Sequence, residues 1–91
     1  MKSFFAEFVH TEKGVTCSDS GFIDLATAQE CSSAVSYALS FNIKADYKSE
    51  GSWSRNPMGC YIYDYGSMHF NTHSTGIRKS STITICRKGN T

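Results

Sequence analysis

The stretch that most constrains this chain runs from Asn56 to Asn71, Asn-Pro-Met-Gly-Cys-Tyr-Ile-Tyr-Asp-Tyr-Gly-Ser-Met-His-Phe-Asn. Cys60, Ile62 and Asp64 alternate with Tyr61, Tyr63 and Tyr65. A strand here turns its tyrosines to one side and its cysteine and isoleucine to the other. Gly66-Ser67 is the predicted turn, because glycine accepts a positive φ at the first central position of a two-residue hairpin loop. On the return strand Met68 and Phe70 alternate with His69 and Asn71. The pattern calls for a hairpin with one apolar face and one face of aromatic and polar groups.

The rest of the chain is read as packing against this hairpin. Ninety-one residues make one domain, 1–91. Ser3 to His10 alternates Phe4, Ala6 and Phe8 with Phe5, Glu7 and Val9, as a strand does. Glu7 and His10 interrupt its apolar run too early for a signal-peptide core, so the start reads as that of a mature or excised domain. Gly14 and Cys17-Ser18-Asp19-Ser20-Gly21 mark turns, and Phe22-Ile23 a short bridging strand. Thr27 with Glu30 three residues on forms a capping box, followed by Cys31, Ala34, Val35, Ala38 and Leu39 at helical spacing. Phe41, Ile43, Ala45 and Tyr47 then alternate with polar residues as a half-buried strand. Ser49 to Gly59 and His73 to Ser80 are loops, and Ser81 to Arg87 is a last strand with Ile83 and Ile85 inward. The expected fold is α+β, an antiparallel sheet of about four to five strands with one helix packed on it.

Four cysteines, Cys17, Cys31, Cys60 and Cys86, are spaced too widely for a zinc knuckle or a redox Cys-x-x-Cys pair. An even number in a short chain suggests two disulfides and an oxidising compartment; the alternative is four reduced thiols packed as small apolar groups. Of the possible pairings, two suit the layout best. Cys31 with Cys60 would pin the helix to the hairpin, and Cys17 with Cys86 would tie the early turn to the last strand. Each would contribute about 2–4 kcal/mol.

Composition excludes several functions. Nine basic residues against eight acidic ones leave no basic stripe for nucleic acid. No run of about twenty apolar residues is present to span a membrane. Phosphate-binding glycine motifs and paired acid–base carboxylates are absent, and nothing calls for a cofactor. His69 and His73, with Asp64, His10 or a cysteine, have the residue types of a metal site, but a strand and a loop carry them and no metal is assigned.

The pattern Pro57-Met58-Gly59-Cys60-Tyr61, then Phe70-Asn71, then Ile85-Cys86, with Glu30-Cys31 on the helix before it, resembles a small cysteine-bearing module. That module recurs in extracellular proteins of algae, protists and aquatic invertebrates. The resemblance spans Cys17 to Cys86, and the layout is similar in broad outline to PAN/apple domains. Those domains bind proteins or carbohydrates and are not catalytic. The resemblance implies a secreted interaction module and transfers no ligand residues.

The candidate site is the aromatic side of the hairpin: Tyr61, Tyr63 and Tyr65 outward on one strand, His69 and Asn71 on its neighbour, and Trp53 beside them. Flat rings with nearby polar groups suit sugar stacking or a protein partner. The plain alternatives are rings that pair across strands or lie under a loop, and a Trp53 folded back as a plug. The expected function is therefore a non-enzymatic, secreted or cell-surface module that binds a glycan or an extracellular protein. The alternative is a structural subunit that self-associates into an extracellular assembly or filament through exposed aromatics and strand edges, a Thr- and Ile-rich edge within Asn71 to Thr84 among them. A third possibility is a secreted, disulfide-stapled effector.

Overall fold

The computed structural model describes residues 8–89; residues 3–7 of the strand expected over Ser3 to His10 and the last two residues of the tail lie outside the described residues. The elements are β1 (Phe8–His10), a 3-10 turn (Ser18–Ser20), β2 (Ile23–Asp24), α1 (Ala28–Ser33) and α2 (Val35–Ser40). They continue with β3 (Asp46–Gly51), β4 (Gly59–Tyr63), β5 (Ser67–Asn71) and β6 (Thr82–Arg87). The fold is α+β, with helix packed on one face of a sheet ordered β1-β6-β4-β5-β3. Both disulfides form as expected, Cys17–Cys86 and Cys31–Cys60. Cys86 pairs with Val9 on one side and Asp24 on the other, while Ile85 pairs with His10 and Cys60. β2 thus prolongs the edge of β6 where β4 ends.

The sheet is mixed, not wholly antiparallel. β3 pairs with β5 in parallel, in the register Asp46↔Ser67 to Gly51↔Asn71, with a bulge between Tyr47 and Ser49. β5 sits between β3 and β4, so the connection from Ser52 to Met58 must cross the C-terminal end of β5 to reach β4. A sequence alternation specifies which face a residue takes, not which strand lies beside it. The pairing of β3 was therefore open until the chain closed on itself.

The helix begins where the capping pattern places it. The Thr27 side chain accepts from the Glu30 backbone N–H at 3.1 Å. Glu30 reaches back to the Ala26 N–H (2.9 Å) and also holds Arg87 of β6, which fastens the helix start to the sheet. At Ala34 the helix is interrupted. Ser32 and Ser33 donate their hydroxyls to the carbonyls of Gln29 and Glu30, competing with the backbone for the acceptors that would continue α1. The end of α2 is a Schellman-type cap: Ile43 N–H bonds Ala38 C=O, Asn42 N–H bonds Leu39 C=O, and Asn42 is left-handed at φ 61°. This cap consumes Phe41 to Ile43, so the strand expected from Phe41 starts only at Asp46.

Cys31, Ala34 and Ala38 are buried on the helix stripe as expected, and their small size lets the helix approach Ile62, Met68, Phe70 and Ile85 closely. Leu39, read as part of the stripe, is 54% exposed instead. The interruption at Ala34 rotates the inward direction, and Tyr37 takes the place, packed on Phe8 (5.6 Å between ring centroids) with its hydroxyl 2.8 Å from His10 Nδ1. Burial pushes the Tyr37 phenol above its ordinary pKa.

The hairpin turn also differs from expectation. Gly66 N–H bonds Tyr63 C=O at 2.8 Å, so Asp64 and Tyr65 are the central residues and Gly66 follows at φ 99°. This is the three-residue loop in which a left-handed glycine completes a bulge. Tyr65 consequently sits on the turn and not on the strand. Finally, β6 is paired on both sides, so the Thr- and Ile-rich strand expected at an edge is interior. Thr82 and Thr84 are buried, and the Thr84 hydroxyl meets Thr11 Oγ1 (2.9 Å) and donates to the Val15 carbonyl (2.9 Å). These threonines are internal fastenings, not a surface.

Candidate functional site

The sheet face opposite the helix gathers the predicted site residues, because odd-numbered positions of β4 and β5 share it. Tyr61 pairs with His69 across the hairpin, their rings stacked at 5.6 Å. Trp53 meets His69 (5.7 Å) and Tyr61 (6.4 Å) edge-on. Tyr63 lies edge-on to Tyr61 (5.5 Å) and to His69 (5.8 Å). Tyr65 continues the row, stacked on Tyr63 at 5.2 Å with only 6° between ring planes. One continuous aromatic row therefore runs from Trp53 to Tyr65.

Its two ends differ in access. Tyr61 is 1% exposed and Asn71 1% exposed, so neither is the outward-facing group the sequence suggested. Tyr63, His69 and Trp53 are half-buried, and Tyr65 is 66% exposed. The cause is the pair of loops that fold over the face. Asn71, at the end of β5, accepts from the backbone N–H groups of Trp53 (2.9 Å) and His73 (3.1 Å). It donates to the carbonyls of Trp53 (2.8 Å), Asn56 (3.2 Å) and Pro57 (2.9 Å). One amide thus holds the crossing loop onto the strand end. Asparagine is disfavoured in strands, and its presence in a well-patterned one was the available signal for such a post. A side chain on Gly51 would overlap the Trp53 ring, so Trp53 folds back because Gly51 has none. At Gly76 a side chain would strike the Asn56 carbonyl and the Met58 amide, so this glycine lets the second loop touch the first.

Asn56 organises the polar rim. Its amide donates to the Tyr61 hydroxyl (3.0 Å), and its carbonyl accepts from the Tyr63 hydroxyl (3.3 Å) and from Lys79 Nζ (2.8 Å). Lys79 also stands 5.8 Å above the Tyr63 ring, within cation–π range. Burial, and then the neighbouring Tyr63 hydroxyl, push the Tyr61 phenol far above its ordinary pKa, so it remains a neutral hydrogen-bonding group. Burial and then Lys48 hold His69 below its ordinary 6.5, leaving a neutral imidazole at pH 7 whose Nδ1 meets Ser49 Oγ at 3.0 Å. Among the described residues no carboxylate hydrogen-bonds the His69 ring, so this hydroxyl–imidazole pair lacks the third group that orients a catalytic base.

His73 is not part of the row; its Nδ1 accepts from the Thr75 N–H at 3.1 Å at the far end of β5. Among the described residues no three His, Cys, Asp or Glu side chains are grouped to hold a metal ion. Among the described residues no helix is long and apolar enough to cross a membrane. Comparison with protein-family models, with curated proteins and with solved structures gives no match.

Proposed function

We propose that this chain is a non-enzymatic, extracellular binding module that recognises a glycan by stacking on the open end of the aromatic row. The observation that carries this reading is the Tyr63–Tyr65 pair: parallel, stacked rings, the outer one exposed, held at the tip of a disulfide-anchored hairpin. Exposed parallel rings on a rigid support offer apolar area with little loss of side-chain entropy on binding. Lys79 stands beside them as a donor for hydroxyl groups. Two disulfides agree with an oxidising, extracellular setting. The helix-to-hairpin disulfide is in keeping with the PAN/apple resemblance.

The Trp53 and Tyr61 end is the support of this site, not its contact surface. The competing idea of a self-associating subunit loses one premise, since the last strand offers no edge. The outer strand β3 instead carries exposed Asp46, Lys48 and Glu50, charges that discourage edge-to-edge pairing.

A glycan array probed with the wild type, Tyr65→Ala and Tyr63→Ala tests the proposal. Binding is expected for the wild type, with at least about a tenfold loss in each variant while both disulfides and the circular dichroism remain unchanged. Absence of any wild-type glycan signal, or full retention in Tyr65→Ala, would reject it. Capture of an extracellular protein through the same tyrosines would replace the glycan by a protein ligand.

A further inference from the structure

Asp24 combines partial burial with the lack of a cationic partner, whereas the other unpaired carboxylates among the described residues, Glu12 and Glu50, are exposed. Asp19 is held by Arg78, Glu30 by Arg87, Asp46 by Lys48 and Asp64 by Lys13. Among the described residues, none donates a hydrogen bond to the Asp24 carboxylate or pairs with it. Yet Asp24 is only partly exposed, and burial raises its pKa above the ordinary 3.8. Its place is set by backbone pairing to Cys86 and by Gly59, which follows the crossing loop at φ +81°. A side chain on Gly59 would come to 3.3 Å from the Asp24 carboxyl oxygen, so the bare glycine leaves the carboxylate its room.

The carboxylate borders a groove of about 340 Å³ at the end of the sheet, away from the tyrosine tip. Leu25 and Phe70 form apolar walls, Met58 (36% exposed) lies along it, and His73 and Ser74 stand at the rim. A half-buried anion without a partner is an unfavourable arrangement that a cation would relieve. The walls beside it suit methylene groups, and methionine adapts to a flexible apolar stem. An aliphatic chain ending in a positive charge matches both halves of the groove.

We propose that the Asp24 groove is a second binding site, which takes the alkylammonium side chain of a lysine presented by a protein partner. The ammonium sits on the Asp24 carboxylate and its stem lies against Met58 and Phe70. This site does not depend on the glycan reading, because no aromatic residue of the exposed row lines it.

The test is an NMR titration of the full chain with N-acetyl-lysine N-methylamide, with the norleucine analogue as the uncharged control. Saturable shifts at Asp24, the Met58 methyl and His73 are expected with the lysine probe only. They should weaken about tenfold or more in Asp24→Asn, by the loss of a charge-assisted hydrogen bond. Met58→Ser should weaken them several-fold and provides the check should Asp24→Asn fold poorly. Tyr65→Ala should leave them unchanged, which separates this site from the aromatic one. No saturable shift at millimolar lysine probe, equal shifts with norleucine, or unchanged affinity in a folded Asp24→Asn would overturn the proposal. Tighter saturation by 1,5-diaminopentane than by the lysine probe would overturn the protein-partner assignment in favour of a free diamine.

Discussion

The two faces of the sheet at the central hairpin are made by the same strands, and each face of the sheet carries one disulfide, but they are closed by different physics. On the helix face, Ile62, Met68, Phe70 and Ile85 meet Cys31, Ala34 and Ala38, and Cys31–Cys60 locks the contact. That burial is non-directional and tolerant of the path the chain takes above it. On the opposite face, rings stack on rings and two loops are tied down by the amides of Asn71 and Asn56, with Cys17–Cys86 fastening the far side. Directional bonds hold specific atoms and leave the periphery uncovered. The comparison teaches that a sheet can be closed at its centre and open at its tip. Tyr61 and Tyr65, four residues apart, then differ from buried to exposed.

The largest effects should come from the centre of each face. Met68→Ala is expected to cost about 2–5 kcal/mol through lost burial and a cavity. Asn71→Ala should cost on the order of 3 kcal/mol by orphaning several backbone groups. Urea denaturation measures both, and Trp53 fluorescence tells them apart. Asn71→Ala should shift the emission to the red before global unfolding, whereas Met68→Ala should not. A Trp53 emission unaffected by Asn71→Ala would break the distinction between the faces.

Next come the staples. Removing either disulfide by paired Cys→Ser substitution should cost about 2–4 kcal/mol. Cys17–Cys86 closes 69 residues and Cys31–Cys60 closes 29, so chain entropy alone makes the former costlier by about 0.8 kcal/mol. A larger loss on removing Cys31–Cys60, read from denaturation midpoints, would show that anchoring the helix outweighs loop length.

The smallest effect is one of pH. Arg78, and then the Thr16 backbone amide, hold the Asp19 carboxyl far below its ordinary 3.8. Its folded-state pKa is depressed, so it contributes stability above that value and loses it as the pH falls towards the folded value. Asp24 has the opposite sign: its pKa is raised by burial, and it weakens the fold as the pH rises from 3.8 through the folded value. Melting temperature against pH should therefore fall less steeply on acidification in Asp19→Asn than in the wild type. Asp24→Asn should be stabilised relative to the wild type at neutral pH. Equal pH profiles for the two variants would contradict this assignment of partners.

Much of the hairpin was legible because alternation is a local property. Cys60 and Ile62 had to oppose Tyr61 and Tyr63, and the sides of Met68, Phe70, His69, Asn71 and Cys86 followed from the same rule. The Thr27 cap was equally local. Exposure was not legible, since a face is open or covered according to loops that arrive from elsewhere. Asn71 and Tyr61 read as surface groups until the crossing loop was placed above them.

By itself, then, the sequence determined the α+β class and the sidedness of the strands, and it favoured the two cysteine pairings that the structure shows. Each rests on spacing within a few residues, or on the matching of apolar faces. Only the tertiary structure decided that β3 runs parallel beside β5, that β6 is interior, and that Asp24 stands without a partner while Tyr65 stands in solvent. Those outcomes depend on which distant segments share an edge. Strand order and loop crossings are settled by the summed packing of the whole chain, which no local pattern encodes.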